Sequence, residues 1–115
     1  MKNILLLIAT FSLTGCALHS TTYIKPNDAF ILGANEHGAF KVDLENTSKI
    51  PITAEVYSLD KTILSKASIS PSKKGHIKVS RDNAVHIINS STDTIAVRLK
   101  VKGDLNLGME YRQPQ

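Results

Sequence analysis

The sequence predicts an all-β fold: a small antiparallel β-sandwich, immunoglobulin-like, of about seven strands. Three observations carry this. Apolar residues from Phe30 onward recur with a period of two. Turn-forming clusters interrupt them about every 8–12 residues. No segment shows a sustained helical stripe at i, i+3, i+4 and i+7. The chain has 115 residues, 42% apolar and 5% aromatic, with one cysteine and a formal charge of +4. That length suits one small domain. The lone cysteine excludes an internal disulfide framework and a Cys-rich zinc module.

Residues 1–15 read as an export signal. Met1-Lys2-Asn3 is a short basic start, and Ile4 to Leu13 is apolar apart from Thr10 and Ser12. Such a run is far short of the ~20 residues of a spanning helix. Leu13-Thr14-Gly15-Cys16 then resembles a bacterial lipobox, the mark of lipoprotein precursors. The resemblance implies that the chain is cut before Cys16. It also implies that the Cys16 thiol takes a diacylglyceryl group and that its new amine is acylated, for instance with palmitate. Each buried CH₂ is worth about 0.8 kcal/mol, so multiple chains give a permanent anchor. Ala17 stands where an Asp marks inner-membrane retention in Gram-negative lipoproteins, so the resemblance implies sorting to the outer membrane. Whether the protein faces periplasm or cell surface is open.

Residues 16–28 read as the lipidated cysteine and a polar tether, with Pro26 biasing Lys25 away from helix. Twelve extended residues reach at most about 40 Å. Residues 29–115 read as the sandwich domain. Phe40, Val42 and Leu44 alternate with Lys41, Asp43 and Glu45; Ile52, Ala54 and Val56 alternate with Thr53, Glu55 and Tyr57. Ile77 and Val79 follow the same pattern, as do Ile95, Val97, Leu99 and Val101, and then Leu105, Leu107 and Met109. Weaker runs cover 29–34, 62–69 and 84–89. The segments 42–48 and 50–57 look like an early hairpin of an immunoglobulin-like sandwich. Turn clusters include 36–38, 46–49, 70–75, 81–83 and 89–94.

The residues offer little catalytic chemistry. No Gly-x-Ser-x-Gly elbow occurs, and a lipidated Cys16 is no thiolate nucleophile. Asp43 and Glu45 fall on one outward strand face, where carboxylates are solvated. The expectation is a protein that is not an enzyme and holds no cofactor. Histidines 19, 37, 76 and 86 are scattered. If Arg81-Asp82-Asn83 is a hairpin loop, His76 lies diagonal to His86 at about 7–8 Å. That is loose for a shared metal, with Lys78 opposite His86, so no metal is expected.

Charge is the remaining feature. Lys73, Lys74, Lys78 and Arg81 cluster around one loop and strand, and Arg98, Lys100 and Lys102 share the outward face of another. Lysines also guard strand edges and keep small domains soluble. The functional reading is contact with an anionic lipid or a cell-wall polymer beside the anchor. Nucleic acid is disfavoured by export and by the lack of basic–aromatic interleaving. The expected function is a lipid-anchored envelope lipoprotein serving as a non-enzymatic binding or structural module for an envelope protein. Two alternatives are a small-ligand or lipid carrier and an inhibitor or exclusion lipoprotein. The carrier needs a cavity between the sheets. The inhibitor needs a protruding loop, for which Ser70–Gly75 is the candidate.

Overall fold

The computed structural model describes residues 9–14 and 17–112. Its ten strands are β1 (Ala9–Thr14), β2 (Ala17–Ile24), β3 (Asp28–Leu32), β4 (Phe40–Asn46), β5 (Ile52–Tyr57), β6 (Ile63–Ile69), β7 (Lys74–Val79), β8 (Ala84–Asn89), β9 (Ile95–Gly103) and β10 (Met109–Tyr111). They form two five-stranded sheets. Sheet A runs β1-β2-β9-β4-β7, and sheet B runs β10-β3-β8-β5-β6. Every recorded pairing is antiparallel. The class is therefore all-β and the architecture a two-sheet sandwich.

The connectivity differs from the immunoglobulin order. β2 pairs with β9, β3 with β8, β4 with β7 and β5 with β6. This is one long folded ribbon, and the pairs β4–β9 and β5–β8 close it into a roll. The strand order β2-β9-β4-β7 over β3-β8-β5-β6 is that of a jelly roll, whereas immunoglobulin domains pair ABED against CFG. From β2 on, the chain changes sheet at every connection except β5–β6. Segments 42–48 and 50–57 are thus a crossover between sheets and not a hairpin. Nine strands follow residue 16, against about seven expected.

The expected tether is a second difference. Residues 17–24 form β2, paired along its whole length with β9 from Ala17↔Lys102 to Ile24↔Ile95. Leu18, Ser20, Thr22 and Ile24 face the core and are buried. The sheets therefore extend well before residue 29, through β2 and, in the full chain, β1. Leu105 and Leu107 differ too. They lie in a loop and pack against the core from outside any strand. Asp104 holds that loop by accepting from the Gly38 and Asn106 N–H groups at 2.6 and 2.9 Å. These bonds draw the Asp104 carboxyl below its usual range.

Between the sheets lies one apolar cluster that includes Ile24, Leu32, Val42, Leu44, Ile52, Val85, Ile87, Ile95, Val97 and Val101. Alternation delivers it: β4 and β9 bury every second residue. Two buried asparagines turn the chain between sheets. Asn46 donates to Ile50 O and Ile69 O at 2.8 and 2.9 Å, and its Oδ1 accepts from Ser48 N–H and O–H. Asn89 repeats the device with Ser91 and Asp93, and also donates to Ile24 O and Lys25 O. Each Asn-x-Ser corner satisfies backbone groups that a crossover would otherwise leave unpaired.

Candidate functional site: a lysine row on sheet A

Alternation on three neighbouring strands places like charges side by side. Lys41 of β4 lies opposite Lys78 of β7 on one side and Lys102 of β9 on the other. Lys102 in turn lies opposite Ala17 of β2. All three lysines are exposed on the outer face, while their chain neighbours Phe40, Val42, Val79 and Val101 are buried beneath. Opposed residues stand about 4.5–5.5 Å apart at Cβ, so this row stacks three like charges at a cost to the sheet. No salt bridge joins any of the three among the described residues. The row rims a shallow groove of about 380 Å³ whose floor includes Ala39, Phe40 and Val79.

The next rows are compensated. In one, the His76 ring lies 2.6 Å from the Asp43 carboxylate, with Lys100 opposite Asp43 and His19 beyond it. The hydrogen bond with His76 holds the Asp43 carboxyl below its usual range against desolvation, and the charges of His76, Lys100 and Lys102 add to the lowering. In the other, Arg98 approaches Glu45 at 3.8 Å, with Lys74 on the far side of Glu45. The row at the Ala17 end of the sheet therefore holds no acidic residue of its own, with Asp43 of the next row acting on Lys102, and positive charge is offset further along.

The seven expected basic residues separate accordingly. Lys78, Lys100 and Lys102 sit together, and Lys74 and Arg98 flank them on the same face. Lys73 lies in the turn before β7, where its carbonyl accepts from Asn46 N–H at 3.0 Å. Arg81 lies in the crossover between β7 and β8, at the sheet rim. Lys41, the centre of the row, is not among the seven basic residues that the sequence singles out. Cys16 lies outside the described residues.

The hairpin assumed for 81–83 does not form, because β7 and β8 belong to different sheets. His76 and His86 consequently face away from each other on opposite sides of the molecule. His86 stacks on Tyr57 with ring centroids 4.0 Å apart, and Tyr57 O–H donates to Glu55 at 2.7 Å. Lys66 reaches Glu55 at 3.4 Å. Burial pushes the His86 imidazole down, with Glu55 opposing, and the bond to Glu55 pushes the Tyr57 phenol up. His37, assigned to an ordinary turn, is buried, and its ring bridges Gly38 O and Asn83 O at 2.6 and 2.7 Å. Among the described residues no group of three or more His, Cys, Asp or Glu is placed to hold a metal ion.

The Ser70–Gly75 segment is a tight turn. Ser72 adopts φ 66°, Lys73 N–H donates to Ser70 O, and Ser72 N–H donates to Asn46 O. It lies against the end of β4 and does not protrude, which weakens the inhibitor reading. The hairpin that does expose apolar side chains is β5–β6, through Leu59, Ile63 and Leu64.

No family model and no curated protein matches the chain. Among solved structures, the chain is similar to the crystal structure of CapF with the inhibitor 3-isopropenyl-tropolone. The TM-score is 0.57 and the identity 10%, over 82% of this chain and 30% of that one. The likeness is one of fold, and this chain spans under a third of the CapF chain.

Proposed function

We propose that the protein is a lipoprotein anchored through Cys16 to the outer membrane, where its jelly-roll domain acts as a non-enzymatic binding module. In this reading the outer face of sheet A lies on anionic head groups, and sheet B faces an envelope partner. One observation carries it: the row Lys78–Lys41–Lys102, which holds no acidic residue of its own, ends at Ala17, the residue next to Cys16. Three like charges side by side cost sheet stability. Anionic lipid at the anchor offsets that cost by about 1 kcal/mol per lysine near the surface.

The start of β2 at Ala17 supports the same geometry. No slack separates the lipidation site from the sheet, so the domain rests at the membrane instead of ranging from it. Tethering of this kind raises the effective concentration of a weak face. The exposed Leu59, Ile63 and Leu64 on the β5–β6 hairpin of sheet B offer apolar contacts to a partner on the other side.

Radiolabelled palmitate tests the anchor in growing cells. The chain is expected to take up label, and Cys16→Ser to abolish it while residues 1–15 are retained. An unlabelled chain, or one cut elsewhere, contradicts the reading.

A further inference from the structure

Without β1, the four sheet edges are not alike. Exposed edges invite pairing with other chains, and proteins blunt them with charges, bulges or short strands. β7 carries Lys74 and Lys78. β6 carries Lys66 and meets β5 with a register shift between Val56 and Tyr57. β10 has only three residues. β2 differs: it is eight residues long, pairs regularly with β9, and has no charged residue and no proline. In the full chain β1 fills its open side, antiparallel from Ala9↔Thr22 to Thr14↔Ala17. That edge therefore accepts an antiparallel strand. Removal of residues 1–15, as the proposed function requires, takes β1 away and opens it.

We propose that in the processed protein the open edge of β2 pairs antiparallel with β2 of a second copy, Thr21 facing Thr21 across the two-fold axis. The sequence of β2 fits this register on both faces. Leu18 meets Ile24 of the second copy and Ser20 meets Thr22, all on the core side. On the outer side His19 meets Tyr23. Shifting the register by one residue would oppose core-facing to outward residues. No charge repels across the axis, because β2 carries none. The axis runs perpendicular to the sheet, so both lysine rows face the same side. Two copies anchored in one leaflet thus pair without lifting either basic face from the membrane. The open edge and this last point rest on the proposed processing before Cys16; the register does not.

The test uses the processed, lipid-bearing protein in detergent. Wild type is expected to sediment at twice the monomer mass. Opposed Cα atoms in an antiparallel pair stand about 4.5–5.5 Å apart, within the ~4.4–6.8 Å that a disulfide spans. Thr21→Cys should therefore give a covalent homodimer on mild oxidation. Tyr23→Cys alone should not, because its opposite position is His19. Thr21→Lys sets two cations face to face and should weaken association at least about tenfold. A monomeric mass for wild type overturns the proposal, as does a Thr21→Cys adduct with a different protein. Wild type under the same oxidation reports separately on Cys16: a disulfide there means an unacylated thiol and fails the anchor, not the pairing.

Discussion

Replacing Lys41, Lys78 and Lys102 together by serine should weaken binding to anionic vesicles about 100-fold. Each lysine near an anionic surface contributes about 1 kcal/mol, and ~3 kcal/mol corresponds to about two decades of affinity. The measurement is co-sedimentation of the unlipidated chain from Ala17 onward with vesicles containing anionic phospholipid. The three side chains are exposed and repel one another, so their removal leaves thermal stability equal or slightly higher. The same loss of charge from Lys25, Lys49 and Lys61, which lie in turns outside the row, should change binding far less. Asp43→Asn removes a negative charge beside Lys100 and should strengthen binding several-fold at low salt, where screening is weakest. Equal losses from the two lysine triples would reduce the effect to net charge and remove the row as a site.

Asn89→Ala should be the most damaging single polar substitution in the fold. The side chain is 1% exposed. Its amide donates toward Ile24 O, Lys25 O and Asp93 O at 2.9, 3.1 and 2.7 Å, and its Oδ1 accepts from Ser91. It therefore ties the β8–β9 crossover to the end of β2. Alanine takes the donor from Ile24 O and the acceptor from Ser91 and empties a buried site, while Lys25 O keeps Asp28 N–H and Asp93 O keeps Ser91 O–H; the cost is about 3 kcal/mol in total. For a domain of this size that lowers Tm by about 15 °C. Asn89→Asp should be no milder, because it keeps the acceptor, loses the donors and sets a carboxylate against three carbonyls. Exposed Asn106 replaced by alanine should shift stability by under about 0.5 kcal/mol. Thermal unfolding followed by circular dichroism distinguishes these outcomes.

Strand faces were legible in the sequence, and strand partners were not. Alternation in Phe40–Leu44 or Ile95–Val101 reveals which side chains point inward, because Cβ atoms alternate across any strand. It says nothing about which strand lies alongside. In a rolled ribbon, consecutive strands sit in opposite sheets, so 42–57 and 76–86 looked like hairpins and are crossovers. β2 is hidden in the sequence for a different reason. Its core face is Leu18, Ser20, Thr22, Ile24, and the two hydroxyls satisfy each other at 2.7 Å inside the sandwich. Two polar residues at inward positions erase the alternation that marks a strand. Leu105 and Leu107 make the opposite case: they alternate and touch the core, but Asp104 fixes their backbone as a loop.

The site was half legible. Lys78, Lys100 and Lys102 were visible as outward charges on two runs distant in sequence. Their meeting was not, because β4 had to be placed between β7 and β9 first. Lys41 is hidden in the sequence because its strand also carries Asp43 and Glu45. Only the register shows that those carboxylates occupy the neighbouring rows, opposite His76, Lys100 and Arg98, and leave Lys41 between two lysines.

The most direct measurement compares lysine accessibility in the membrane-bound protein and in the detergent-released one. An amine-reactive reagent too polar to enter the bilayer is applied to both, and modified lysines are read by mass spectrometry. With sheet A against the head groups, Lys41, Lys78 and Lys102 are protected on the membrane and react after release, while Lys61 and Lys66 at the β5–β6 hairpin react equally in both states. Equal labelling of all five lysines on the membrane would contradict the account.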